Sequence, residues 1–120
     1  LLDYALARMP SKGKIVILSS IAIHMRNTPF KNLRCYGKSK YDLLKYALSI
    51  PCFNGISINA FHPGIVDTGQ FKLSRFVKGL LHKSKVLNSP SEFAHILSDF
   101  ICDDRCIHGK YFNLRVQETF

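Results

Sequence analysis

Lys14-Ile15-Val16-Ile17-Leu18-Ser19 is an aliphatic, β-branched run with no polar alternation, the pattern of a strand covered on both faces in a parallel sheet. Upstream, Leu2, Leu6 and Met9 recur at helical spacing until Pro10-Ser11-Lys12-Gly13 stops them. Downstream, residues 24–35 are polar and irregular, with Pro29 among them. A helical pattern then runs from about Tyr36 to Leu48 and is ended by Pro51 and Gly55.

Ile56-Ser57-Ile58-Asn59-Ala60-Phe61 reads as the next strand, and His62-Pro63-Gly64 as the turn that closes it. The sharpest local signal follows later. Ser89-Pro90-Ser91-Glu92 is a capping box with proline at the first helical position. Phe93, Ile96, Leu97, Phe100 and Ile101 then form one apolar stripe, which predicts a helix over about 90–102 that packs on a sheet. Gly109 closes that connection, and Lys110-Tyr111-Phe112-Asn113-Leu114-Arg115-Val116 reads as a final strand.

The order helix end, strand, helix, strand, helix, strand is two consecutive βαβ crossovers. The expected fold is α/β, the C-terminal half of a doubly wound parallel sheet of Rossmann type, with about three parallel strands and flanking helices. There are no repeats or linkers, so residues 1–120 form a single unit. The first strand should then carry an open hydrogen-bonding edge. Leu1-Leu2-Asp3 has no initiating Met and no polar leader, so the sequence reads as a segment that begins inside an element.

Composition fits one small globular domain, with 47% hydrophobic and 21% charged residues. The longest apolar run, Ile15 to Ile23, is interrupted by two serines and falls far short of the roughly 20 residues a membrane-spanning helix needs. Cys35, Cys52, Cys102 and Cys106 show no paired spacing. A zinc site from Cys102, Cys106, His95 and His108 is outweighed by buried or idle reduced thiols in a cytoplasmic type of protein, so no metal is expected. The net charge of +9 is concentrated: Lys72, Arg75, Lys78, Lys83 and Lys85 interleave with Phe71, Leu73, Phe76, Val77, Leu80 and Leu81, without an acid. Residues 69–88 thus form a basic amphipathic connection, partly helical, whose polar face is solvated or touches a membrane surface; nucleic acid is the weaker reading.

Ser19-Ser20 stands at the carboxyl tip of the first strand, where open α/β sheets bind ligands. Tyr36 and Lys40 are four apart and share one helix face. Transfer of hydride to or from a carbonyl needs a proton donor or acceptor beside the oxygen. Tyrosine, with a pKa of about 10, serves only where a nearby cation favours the phenolate. Tyr41 and Lys45 repeat the spacing, but five residues rotate a helix by about 140°, so only one pair can face the strand tip. Tyr36/Lys40 is favoured because it lies nearer the serines and because small Gly37 and Ser39 allow close approach.

Taken in order, Ile17-Leu18-Ser19-Ser20, then Tyr36 with Ser39-Lys40, then Ile58-Asn59-Ala60-Phe61-His62-Pro63-Gly64-Ile65-Val66-Asp67-Thr68 resembles the second half of the short-chain dehydrogenase/reductase family. His62-Pro63-Gly64 and Gly109-Lys110-Tyr111-Phe112 are most similar to its retinol-dehydrogenase-like branch. The resemblance implies an NAD- or NADP-dependent oxidoreductase that interconverts a hydroxyl and a carbonyl on a small, lipophilic substrate. It implies Tyr36 as acid/base, Lys40 as the cation that favours the phenolate and bonds the nicotinamide ribose, and Ser20 as the group that orients the substrate. Pro63 and Gly64 would bring the backbone of Ile65 and Val66 to the carboxamide, with the Thr68 hydroxyl beside it. A homo-oligomer through the Tyr36 helix is implied as well. The family's glycine-rich phosphate loop does not occur, since the seven glycines are scattered. The chain therefore reads as the carboxyl half of an NAD(P)-binding domain, inactive in isolation, or else as a non-catalytic module derived from one.

Overall fold

The computed structural model describes residues 1–66, 87–113 and 116–118. Lys14–Leu18 forms β1, which pairs in parallel with β2, Ser57–His62, in the register Lys14↔Ser57 to Leu18↔Phe61. β2 pairs in parallel on its other side with β5, Tyr111–Asn113, from Ala60↔Tyr111 to His62↔Asn113. β2 is the central strand and is buried at all six positions. It can be buried at every position because helices cover both faces, and its polar members Ser57, Asn59 and His62 are buried with its apolar ones.

α1, Leu2–Arg8, precedes β1, and a 3-10 helix, η1, spans Ile21–Met25. α2 spans Lys31–Ser49 and packs on one face of the sheet, where Leu44 joins Ile23, Ala60 and Tyr111 in the core, with Ile17, Tyr41 and Leu48 around them. The residues of β2 that alternate with Ala60 face the other way. There Phe61 meets Phe112 at 5.0 Å and Phe100 at 4.7 Å, the latter on α3, Pro90–Ile101. Two layers of helix thus enclose the parallel strands, as the doubly wound reading requires.

Several expectations are corrected. α2 begins at Lys31, not near Tyr36, because its first turns are solvated: Lys31, Asn32, Arg34 and Cys35 are exposed and leave no apolar periodicity to read. Residues 24–35, read as irregular, hold the end of η1 and the first turn of α2. The final strand is a hairpin. β6, Val116–Glu118, returns antiparallel to β5, with Tyr111↔Glu118 and Asn113↔Val116. Asn113 lies opposite His62, the last residue of β2, and Pro63 beyond it has no N–H to continue a ladder. Ile101 is exposed, so the α3 stripe ends at Phe100.

The capping box forms as expected: Ser89 Oγ accepts from Glu92 N–H at 3.2 Å, and Ser89 N–H donates to Glu92 Oε2 at 3.4 Å. At the other end of α3, the Lys14 ammonium donates to the carbonyls of Ile101 and Asp103, tying β1 to the negative end of the helix. α1 is tied to α2 by Tyr46, whose hydroxyl donates to Asp3 Oδ1 at 2.7 Å. That hydrogen bond, with the carboxylate's charge, pushes the Tyr46 phenol above its ordinary value.

Among the described residues β1 pairs with β2 alone. It is half-buried, with Leu18 exposed, in contrast to fully buried β2. Ile65–Val66 (β3) and Leu87–Asn88 (β4) form a separate parallel pair. The basic amphipathic segment and Thr68 fall within residues 67–86, outside the described residues, apart from Leu87–Asn88. No helix among the described residues is long and apolar enough to cross a membrane.

Candidate active site

Ser19 N–H donates to Phe61 O at 2.8 Å, which carries the β1–β2 ladder one residue beyond β1. The two strands therefore end side by side, and the segments Ser19-Ser20 and His62-Pro63-Gly64 leave the sheet together at its carboxyl edge. Ser20 caps η1, its Oγ accepting from Ala22 N–H at 3.2 Å. That bond uses a lone pair and leaves the hydroxyl hydrogen to donate. Ser19 is buried, and its Oγ has no hydrogen-bond partner among the described residues. Gly64 adopts φ +70°, a conformation that glycine enters without strain and that aims the following backbone away from the sheet.

α2 crosses η1 at contact distance one residue after Tyr36. Gly37 is buried against the Ala22 carbonyl, and a β-carbon at position 37 would lie 2.2 Å from that oxygen. Ala22 is two residues after Ser20, and Gly37 is one after Tyr36. The contact holds the serine segment and the tyrosine segment together by packing; among the described residues no hydrogen bond joins Ser20 to Tyr36. Tyr36 is half exposed, and Lys40 Nζ stands 5.8 Å from its ring centre. The second pair is placed differently. Tyr41 packs against the core beneath the Arg26 guanidinium, 4.0 Å above its ring, while Lys45 is exposed.

Pro63 and Gly64 are half-buried at the end of β2, and Ile65–Val66 enter β3 directly after them. A nicotinamide cofactor suits this edge on three counts: a glycine turn that admits main chain to a flat ring, an open phenol with a cation beside it, and a buried serine oxygen without a partner. The described residues include no group of three or more His, Cys, Asp or Glu that could hold a metal. Both ring nitrogens of His108 are engaged by backbone, Nδ1 by Ile58 N–H at 3.1 Å and Nε2 with Ile50 O at 2.8 Å. All four cysteines are exposed free thiols.

Three polar residues to which the motif reading assigns no structural role make hydrogen bonds along and just beyond β2. Asn59, in the middle of buried β2, donates from Nδ2 to Ile107 O at 2.9 Å and accepts at Oδ1 from Lys110 N–H at 3.1 Å. His108 bridges α2's end to β2. His62 Nδ1 accepts from Gly64 N–H at 2.8 Å. The signal was present for Asn59: an amide inside Ile58-Asn59-Ala60 cannot be buried without partners.

No family model matches the chain. It is similar to an uncharacterized oxidoreductase of Saccharomyces cerevisiae, 32% identical over 121 residues that cover 92% of this chain and 46% of that protein. Among solved structures it is similar to the landomycin C-6 ketoreductase LanV with bound NADP and rabelomycin, at a TM-score of 0.66 and 25% identity over 94% of this chain and 44% of that one. The chain spans about half the length of the relatives it matches. The first likeness is to an oxidoreductase and the second to a ketoreductase, and the second bears out the Rossmann-type fold.

Proposed function

We propose that this chain is the carboxyl half of the NAD(P)-binding domain of a short-chain dehydrogenase/reductase, carrying the proton-transfer groups for interconversion of a hydroxyl and a carbonyl. What supports the proposal is the sheet edge at which Ser20 follows β1 and Pro63-Gly64 follow neighbouring β2, with Tyr36 and Lys40 on a helix that packs on η1 through Gly37 and Ala22. An oxidoreductase relative and a ketoreductase solved with NADP support it.

The nicotinamide cofactor, when bound, supplies or takes the hydride at the carbonyl carbon. The chain's own groups handle the oxygen. Ser20 donates its hydroxyl hydrogen to the substrate oxygen and fixes its direction. In the reducing direction Tyr36 gives its phenolic proton to that oxygen as negative charge gathers there, and the Lys40 ammonium stabilises the phenolate left behind. In the oxidising direction the phenolate takes the proton back. Pro63, Gly64 and the main chain of Ile65 and Val66, with Thr68, hold the carboxamide end of the cofactor, and Tyr36 and Lys40 its ribose.

His62-Pro63-Gly64 and Gly109-Lys110-Tyr111-Phe112 favour the retinol-dehydrogenase-like branch and a lipophilic alcohol or ketone. A homo-oligomer through α2, on which Leu43 is exposed, belongs to the same reading, as do a cytoplasmic setting and contact with a membrane surface through residues 69–88.

The test is NADPH- and NADH-dependent reduction of a panel of aromatic and aliphatic ketones by the intact protein of which this chain is the carboxyl half, and by its Tyr36→Phe and Tyr41→Phe variants. Tyr36→Phe should lower kcat by about 10²- to 10⁴-fold with cofactor affinity kept. Activity that survives Tyr36→Phe and is lost in Tyr41→Phe would reverse the assignment of the two pairs.

A further inference from the structure

The Pro63-Gly64 turn is held by a side chain. His62 ends β2, is buried, and accepts at Nδ1 the hydrogen bond of Gly64 N–H at 2.8 Å. Pro63 has no N–H, so Gly64 carries the first amide beyond the strand, at a point where the β1 and β5 ladders have run out at Phe61 and His62. The acceptor has to come from a side chain, and the His62 ring provides it.

An accepting Nδ1 carries no hydrogen, so the neutral ring has its proton on Nε2. Nδ1 is separated from Cβ by one atom, as Oδ1 is in asparagine. The contact from residue i to the amide of i+2 is therefore the histidine counterpart of an Asx-turn.

We propose that His62 is the positioning residue for the nicotinamide end of the site, fixing through Nδ1 the turn that presents the Ile65 and Val66 backbone to the cofactor's carboxamide. This rests on the functional reading above and adds to it a residue that touches neither hydride nor proton. Its effect falls on cofactor binding rather than on the chemical step.

Two substitutions separate this role from simple packing. His62→Leu keeps apolar bulk in the buried site and removes the acceptor. His62→Asn gives up bulk and keeps an acceptor the same number of bonds from the backbone. A packing role ranks leucine above asparagine in every measurement, whereas a positioning role ranks asparagine above leucine for cofactor.

The experiment measures, on the whole protein, thermal stability, NADPH and NADH affinity, kcat at saturating cofactor, and hydrogen exchange at the Gly64 amide. His62→Leu should weaken cofactor binding about tenfold, the loss of one hydrogen bond, with faster Gly64 exchange and kcat changed by less than about threefold. His62→Asn should bind cofactor within about twofold of the unsubstituted protein even though it melts lower.

Equal weakening in both variants, or unchanged affinity in His62→Leu, overturns the inference and leaves the functional reading standing. Failure of the unsubstituted protein to bind either cofactor, with Gly64 exchange still slow, overturns both. If His62→Leu does not fold, His62→Gln replaces it, since its amide lies one carbon further from the backbone and misses Gly64 N–H; affinity equal to that of His62→Asn then overturns the inference.

Discussion

The carbonyl oxygen of Ala22 occupies the space beside Gly37 where a side chain would begin, 2.2 Å from the position of a β-carbon. At this contact α2 meets η1 one residue after Tyr36 and two residues after Ser20. The placement of the Tyr36-to-Lys40 motif against η1 therefore depends on the glycine inside it.

Gly37→Ala tests this with a sign opposite to helix propensity. Alanine inside a helix gains about 1 kcal/mol over glycine, but here the new methyl meets fixed backbone, and overpacking costs about 1–3 kcal/mol, sometimes more. The expected outcome is a net loss of about 1–2 kcal/mol in urea denaturation, with kcat reduced because Tyr36 is displaced. An unchanged or raised denaturation midpoint would show that η1 yields freely.

Asn59 joins β2 to the loop before β5 by two hydrogen bonds, to Ile107 O and from Lys110 N–H, and is itself fully buried. Asn59→Leu keeps the volume and strands both backbone groups, each at about 1–3 kcal/mol. A loss of about 3 kcal/mol is expected, together with faster hydrogen exchange at Lys110.

Ser89→Ala removes the acceptor for Glu92 N–H and opens the capping box of α3. The expected cost is about 1 kcal/mol, read as a lower urea midpoint at unchanged m-value. Ser89→Gly should cost less, since glycine is tolerated at this position.

Asp103 and Arg105 supply a pH dependence. The Arg105 side-chain hydrogen bonds, then its backbone N–H, hold the Asp103 carboxyl below its ordinary 3.8, at about 2. The folded value lies below the unfolded one, so the contribution to stability is complete above 3.8 and is lost as pH falls toward 2. In the exposed pair the effect is small. Carboxyl titration by NMR should place Asp103 at about 2 in the parent protein and return it toward 3.8 in Arg105→Ala.

What the sequence could reveal follows the range of the interactions involved. Ser89 and Glu92 are three residues apart, and Tyr36 and Lys40 four. Such signals close within one helical turn, so the α3 start and the motif pairs are readable in advance. The strand of Ile15 to Leu18 is readable because a run without alternation is stable only under two helical layers. The start of α2 was hidden because its first turns face water and carry no pattern. The hairpin of β6 was hidden because it depends on where Pro63 ends a different strand.

The amino-acid order alone thus determined an α/β unit of parallel strands with Ser20, Pro63-Gly64 and a Tyr/Lys pair at strand tips and helix face. Tertiary structure decided which pair is open and which is packed, since Tyr36 and Tyr41 have identical spacing to their lysines and differ only in what lies across from them. It also decided the partners of Asn59 and His108, which lie some fifty residues away in the chain. The physical reason is the same for each: a buried polar group must find its partner wherever the folded backbone leaves one unpaired, and that place exists only once the sheet has closed.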